Sequence, residues 1–376
     1  MKCKLTIITP CHVGSGNTLI RDIDFASDGE HFGIIDLRKV YDIVGPEGIQ
    51  GWCSIIDRKG DILSYVRVRK PNATLRDISS TLLDIRNGDS AATKPANELR
   101  EHIRTMGELY IPASSLKGAI VTAILSANEY DSKLRIPAKI NTKNNSIVDK
   151  FFSKADVNPK TGVTSYNPQT SSLRFLRVSD AYFKGVQSSA FYCNQLNIRD
   201  KKDTLCDSKA HQYVEAIFDD AATMIDLDIK RDHMSVVSSK GKLGEIPDAM
   251  QSLSSLLMTI NEHTRRLLER EKEFWKEYNY PELEEYLISI DDLIDECKAC
   301  KAGRAAILRV GYGGGWDSMT GGWSKESAND DEWDRIVNVA RSNNQKNYSD
   351  YEFPKTRRLF DTYMPLGYVR IEAVSQ

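Results

Sequence analysis

Tyr110-Ile111-Pro112-Ala113-Ser114-Ser115-Leu116-Lys117-Gly118-Ala119-Ile120 runs on from Val121 to Ala127 without another charged residue. The stretch reads as a loop that ends in a serine N-cap and starts an apolar helix. Free N–H groups in the first turn, the hydroxyls of Ser114 and Ser115, and Lys117 together make a small corner suited to a phosphate. Capping by serine alone is the plainer reading of the same residues.

Upstream, Met1 to Thr9 alternates as a strand and passes through Pro10 into a tight polar loop, Gly14-Ser15-Gly16-Asn17. Phe32 to Asp36 reads as a strand, and Leu37 to Val44 as a short helix ending at Gly45. Tyr65 to Lys70 alternates with period two, which puts Arg67 and Arg69 on one face and Val66 and Val68 on the other until Pro71 ends the pattern. Downstream, Lys133 to Ser172 is polar and rich in Asn, Lys, Pro and Gly, an insertion more than a core element. Leu173 to Val178 returns to strand composition, with Arg174 and Arg177 on opposite faces. Ala190 to Ile198 and Tyr213 to Ile229 are further strands. Met250, Leu253, Leu257, Ile260, Leu267 and Leu268 lie at helical spacing, and Leu283, Leu287, Ile290, Leu293 and Ile294 continue it after Pro281. A helix from Trp333 to Arg341, a basic polar loop through Lys346, and the turn Pro365-Leu366-Gly367 into a last strand complete the chain. Strands and helices alternating at both ends suit one or two ferredoxin-like units with insertions.

Arg309-Val310-Gly311-Tyr312-Gly313-Gly314-Gly315-Trp316 is a poor core and a good ligand-facing loop. Glycine lets a main chain come within hydrogen-bond distance of a phosphate or sugar, and Tyr312 and Trp316 offer flat faces for stacking. The bland alternative is a flexible turn.

A composition of 40% apolar and 28% charged residues is that of an ordinary globular protein. No apolar run approaches the roughly 20 residues of a membrane helix, and the first strand lacks a signal-peptide core. The chain is therefore expected in the cytoplasm with no membrane partner, and seven cysteines, an odd number, suit a reducing compartment. Net charge hides a segregation. Residues 245–296 carry 14 acidic and 5 basic side chains, a net of −9 against −2 for the whole chain, so the remainder stands at +7. A mildly basic body can still hold a polyanion.

Several chemistries drop out. The sequence has no P-loop, and Trp316 stands where the third glycine of a dinucleotide fingerprint belongs. Cys297-x-x-Cys300 would need two more ligands to hold zinc, and neither a second pair nor His-x-x-x-His exists, so no metal and no cofactor are expected. His12 beside the first loop could act as a base, although a lone histidine near an apolar strand is more often structural. Asp22 and Asp24 would project from one side of an extended strand and are weak candidates for a metal-dependent catalytic pair.

Taken together the motifs resemble the repeat-associated RNA-binding (RAMP) proteins of CRISPR systems, and among them the fifth subunits of type III-A Csm effector complexes. The resemblance rests on Thr9-Pro10-Cys11-His12-Val13-Gly14-Ser15-Gly16, on Ile111 to Ile120, on Leu308-Arg309-Val310-Gly311 leading to Trp316, on Phe353-Pro354-Lys355-Thr356-Arg357-Arg358, and on Pro365-Leu366-Gly367-Tyr368-Val369. These cover nearly the full length in the expected order. Two positions depart from the family pattern. Ala113 stands where glycine is usual and Val121 where a basic residue is usual, so Ser114, Ser115 and Lys117 must carry more of the phosphate corner.

The resemblance implies an α+β fold with an RRM-like (ferredoxin-like) core, possible as a duplicate, carrying a polar thumb-like insertion and an acidic helical insertion. The expected division is a core over 1–244 with the thumb at 133–172, helices over 245–300, and the rest of the core with its glycine-rich loop over 301–376. It implies a non-catalytic subunit that caps the 3′ end of the CRISPR RNA, takes part in target RNA binding, CRISPR RNA maturation and antiviral defence, contacts the neighbouring backbone subunit, and offers a place to recruit a trimming nuclease. The expected partners are thus CRISPR RNA and single-stranded target RNA. RNA-facing residues would be His12, Gly14, Ser15, Gly16, Ser114, Ser115, Lys117, Arg174, Arg309, Tyr312, Gly313, Gly314, Gly315, Trp316, Lys355, Arg357 and Arg358. A metal-dependent RNase using Asp22 or Asp24 and an assembly module docking proteins through the acidic helices are the competing readings.

Overall fold

The computed structural model describes residues 1–86, 97–129, 131, 134, 147–197, 212–278, 280, 283–340, 354, 356–361 and 363–374. The N-terminal strand Lys2–Ile7 buries Cys3, Leu5 and Ile7 and turns its lysines outward, the period-two pattern of a half-covered sheet. It lies at the centre of a five-stranded antiparallel sheet whose order is Leu176–Val178, Ala222–Ile229, Lys2–Ile7, Tyr368–Ala373 and Ala305–Arg309. Leu5 sits opposite Thr223 on one side and Ile371 on the other, so the two ends of the chain close one sheet.

The Ala113–Ser126 helix lies on that sheet through Leu116, Ile120, Ala123 and Ile124, beside Leu256, Leu257 and Ile260 of the Leu253–Lys276 helix. The expected serine cap is not made. Pro112 is the N-cap, with no side-chain cap bond, because Asp180 reaches in from another segment and accepts from Ala113 N at 2.6 Å. Leu253–Lys276 and Leu283–Ala299 form the expected helical pair, packed on each other through Leu268, Trp275, Tyr286, Ile290 and Ile294. The first of them also covers the sheet edge. Asn261 Oδ1 accepts from Ile307 N at 3.0 Å, and Thr264 Oγ1 donates to Ile307 O at 2.7 Å, which satisfies backbone groups that an edge strand would otherwise expose.

A second, mixed sheet runs Gly14–Ile20, Glu98–His102, Gln212–Ala216, Ser189–Asn197, Ser79–Arg86, His31–Ile35 and Phe25–Ser27, with Thr356–Phe360 also paired to Ser189–Asn197. Three local expectations fail here. Residues 14–17 are not a free loop but the start of a strand against Glu98–His102, with a bulge between Gly14 and Thr18. Residues 65–70 are not a strand: Ile62–Arg67 is a helix, capped by Asp61, because Ile62, Leu63 and Val66 share a helical face against Val40 and Val44. Asp22 and Asp24 are in a turn, not an extended strand, with Asp22 at φ 61°. The break at Gly45 is real, at φ 70° and ψ 175°, yet Pro46 restarts the helix, which runs over Leu37–Asp57.

In the expected insertion, Phe151 and Phe152 of Ile147–Phe152 are core residues, and Leu134 is buried. The rest of 132–146, the basic loop through Lys346, Phe353 and Lys355 lie outside the described residues. Leu173–Val178 splits into a turn of 3-10 helix, Ser172–Phe175, and the strand Leu176–Val178. Among the described residues no helix is long and apolar enough to cross a membrane.

Candidate functional site

Three of the motifs meet where the two sheets adjoin. Pro10 O accepts from Gly367 N at 2.9 Å, and Cys11 exchanges two backbone bonds with Ile217, so the chain leaves the first sheet and is pinned to the second. His12 O then accepts from Tyr312 N at 2.8 Å, while Val310 N donates to Gly367 O at 2.7 Å. The approach leaves no room for a side chain. A Cβ at Gly311, whose φ is 79°, would lie 2.3 Å from His12 O, and one at Gly367 would lie 2.1 Å from Val310 O. Gly315, at φ 65°, meets nothing within 4 Å and is exposed. Gly311→Ala is therefore expected to cost more than about 2 kcal/mol in urea unfolding, against about 1 kcal/mol for Gly315→Ala, where only the positive φ opposes a side chain. Equal losses would contradict this division of labour.

The basic residues divide in the same way. Arg309 is turned inward: its guanidinium donates to Leu366 O at 3.0 Å, Gly313 O at 2.7 Å and Gly314 O at 3.3 Å, and it lies over the Tyr368 ring. It clamps the glycine loop instead of facing a phosphate. Lys117 Nζ donates to Leu173 O at 3.0 Å and Leu176 O at 2.9 Å, and burial lowers its pKa. The expected phosphate corner is thus closed by Lys117 bonding to carbonyls and by Asp180 at the helix start. Arg357 is 9% exposed and pairs with Glu271, which removes it from any RNA surface. Arg358 points to the opposite face of its strand and is only half-buried. Its Cβ lies 3.3 Å from where a Cβ at Gly313 would stand. Arg174 is exposed, bonded to Gln169 O and laid over Phe175.

Of the remaining expected residues, Gly14, Gly16 and Ser114 are exposed, Ser115 is half-buried, and Ser15 Oγ donates to Glu101 Oε2 at 2.9 Å. Gly313 and Gly314 are half-buried. Tyr312 and Trp316 are half-buried as well, Tyr312 edge-on to His12 and Trp316 edge-on to Trp333 with ring centres 6.3 Å apart.

His12 belongs to a buried network that the sequence reading did not foresee. Its Nδ1–H donates to Glu215 O at 2.6 Å, and burial lowers its pKa to about 4. His102 accepts from Val13 N at Nδ1 and donates from Nε2 to Tyr110 O, which defines a neutral tautomer; burial holds it at about 3. Glu215 accepts from His102 N, Arg104 and Ser188. The alternation of Leu99 against Arg100 and His102 was the legible signal for this strand. Its partners, Gly14–Ile20 on one side and Gln212–Ala216 on the other, were not.

Asp24 Oδ2 accepts from Ile20 N, and Asp22 is held by Ile62 N and Arg21. Among the described residues no group of three or more His, Cys, Asp or Glu is placed to hold a metal ion. Burial pushes the Cys297 and Cys300 thiols up to about 12 and about 11, away from the thiolate that zinc takes.

None of the curated proteins matches this chain in sequence. Among solved structures, it is similar to a chain of a type III-A CRISPR-Cas Csm–crRNA–target RNA ternary complex determined by cryo-electron microscopy. That match has TM-score 0.73 and 19% identity and covers 99% of this chain and 100% of the other. It is also similar to the crystal structure of Csm5 of T. onnurineus, with TM-score 0.66 and 16% identity over 97% of this chain and 99% of that one. At these identities the likeness is one of fold, extending from end to end. The sequence model of the RAMP superfamily matches residues 4–316, which takes in the helical pair, the glycine loop and all but the C-terminal strands of the two sheets, and the chain belongs to that superfamily.

Proposed function

We propose that this protein is a non-catalytic, cytoplasmic RNA-binding subunit of a type III-A CRISPR Csm effector complex. It caps the 3′ end of the CRISPR RNA, adds to target RNA binding, supports CRISPR RNA maturation and antiviral defence, and contacts the neighbouring backbone subunit and a recruited trimming nuclease. The observation that carries this reading is the convergence of the Thr9–Gly16, Leu308–Trp316 and Pro365–Val369 motifs at one junction beside Arg358, where Gly14, Gly16, Gly311 and Gly315 are exposed. Full-length likeness of fold to a chain from a Csm–crRNA–target RNA complex supports it.

The core is RRM-like in this reading. Strand Lys2–Ile7, helix Ala113–Ser126, strands Leu176–Val178 and Ala222–Ile229, helix Leu253–Lys276 and strand Tyr368–Ala373 follow the βαββαβ order, with Ala305–Arg309 added at the edge. The second sheet is the duplicated or inserted part and 133–172 the thumb; of the helical segment 245–300, Leu253–Lys276 serves as the second core helix and Leu283–Ala299 is the insertion.

Binding of single-stranded RNA, measured by filter retention across a salt series, is expected to weaken with a log–log slope of about −0.7 per neutralised phosphate. A flat response would overturn the reading. With Arg309, Lys117 and Arg357 turned inward, the slope of the isolated subunit reports only the contacts that Arg358, Arg174 and other outward cations make.

A further inference from the structure

Arg100 lies in none of the motifs that the sequence singled out, yet it stands where they meet. Its strand, Glu98–His102, runs between Gly14–Ile20 and Gln212–Ala216, with Thr18 opposite Arg100 on one side and Val214 on the other. Leu99 enters the apolar cluster under the sheet, so Arg100 and His102 share the other face. On that face lie His12, Tyr312 and Cys193.

The Arg100 guanidinium carbon is 5.4 Å from the centre of the Tyr312 ring, within cation–π reach. Its Nε is buried and has no hydrogen-bond acceptor among the described residues, a state that costs about 1 to 3 kcal/mol unless a ligand supplies the acceptor. Arg358 approaches the same loop at Gly313. Burial raises the pKa of Tyr312, and both arginines oppose that rise, as they do at Cys193, so two positive charges act on one spot. No cation of the glycine loop serves this surface, because Arg309 is bonded to carbonyls.

We propose that Arg100, with Arg358 across Tyr312, contacts an RNA phosphodiester at the glycine-lined surface, so that the strand facing the first glycine motif supplies the cation the glycine loop withholds. The proposal rests on the RNA-binding reading and names a residue for it. Tyr312 orients the guanidinium by holding its flat face, which leaves the edge N–H groups for the phosphate oxygens.

Fluorescence anisotropy of a fluorescein-labelled single-stranded RNA with the complete chain, at several salt concentrations, tests it. Arg100→Gln should weaken binding by about tenfold and flatten the log–log salt slope by about 0.7. Arg100→Lys should keep the slope and lose less affinity, and the remote, exposed Arg38→Gln should change neither. Removal of a half-buried cation whose Nε has no acceptor among the described residues should leave the melting temperature of Arg100→Gln unchanged or higher, whereas a merely structural arginine would lower it. Wild-type binding together with an unaltered Arg100→Gln slope and affinity would overturn this inference alone. Absence of salt-dependent binding in the wild type would overturn the RNA-binding reading and this one with it.

Discussion

Glu271→Ala is expected to lose about 3 to 5 kcal/mol of stability in urea unfolding, because it strips a buried cation of its only close carboxylate among the described residues. Glu271 Oε1 accepts from Trp275 Nε1 at 2.8 Å, Arg357 Nε at 2.6 Å and the Tyr286 hydroxyl, and Oε2 accepts from Arg357 Nη2 at 2.7 Å. Arg357 also donates to Pro354 O and lies over Phe274 and Trp275. The hub joins both acidic helices to the strand that carries Arg358. Arg357→Ala should cost a similar amount, and the double variant Glu271→Leu with Arg357→Leu should recover most of the loss, since neither charge is then left unpaired. Single variants within about 1 kcal/mol of wild type would show that the pair does not hold the helices. Burial raises the Glu271 pKa, but the charge of Arg357 and the hydrogen bonds from Arg357, Tyr286 and Trp275 outweigh it and the carboxyl ends below its ordinary 4.5. A depressed carboxyl stabilises the fold above its unfolded value, so this contribution is complete above pH 4.5 and is lost as pH falls through the lower folded value.

Acid should begin to unfold the protein well above that point. His12, His102 and His263 are buried and held at about 4, about 3 and about 3, in each case first by burial. Unfolded imidazoles take up a proton near 6.5 while the folded ones refuse it, so the unfolded state binds more protons throughout the interval between. Stability is complete above pH 6.5 and falls as pH drops towards 4, by about 1.4 kcal/mol per pH unit for each histidine. Down to pH 4 the three together remove about 10 kcal/mol, the size of an ordinary net stability of about 5 to 15 kcal/mol. At His102 the structural cost is visible, since a proton on Nδ1 would remove the acceptor of Val13 N beside the glycine loop. Urea midpoints measured from pH 7 to pH 4 should fall steeply, and His263→Leu should reduce the slope by about one proton. A midpoint unchanged between pH 7 and pH 5 would contradict buried neutral imidazoles.

Long periodic segments were legible from sequence. The apolar spacing of residues 250–294 predicted the helical pair, and the alternation in the first strand placed Cys3, Leu5 and Ile7 inside. Short segments were not. Period-two alternation at 65–70 lost to the helical face of Ile62, Leu63 and Val66, because a partner helix was there to bury it. The glycines at 14 and 16 looked like a loop, but Gly14 pairs with His102 and Gly16 lies in the bulge of the same strand. Recognition of the superfamily succeeded because it rested on the order of several motifs along the chain, which needs no knowledge of contacts.

Charged side chains mark the boundary most clearly. By itself the sequence determined that this is an α+β chain with an acidic helical segment, a basic remainder and glycine-rich motifs in RAMP order. It read Arg357 and Arg358 alike as RNA-facing, although neighbouring residues of a strand take opposite faces. Which of the two faces was buried depended on Glu271, a residue 86 positions away. Tertiary structure alone turned Lys117 and Arg309 onto carbonyls and set Arg100 over Tyr312. Backbone periodicity is a local property of a few consecutive residues, whereas the group that satisfies a charge or a buried imidazole is delivered by the fold from any distance along the chain.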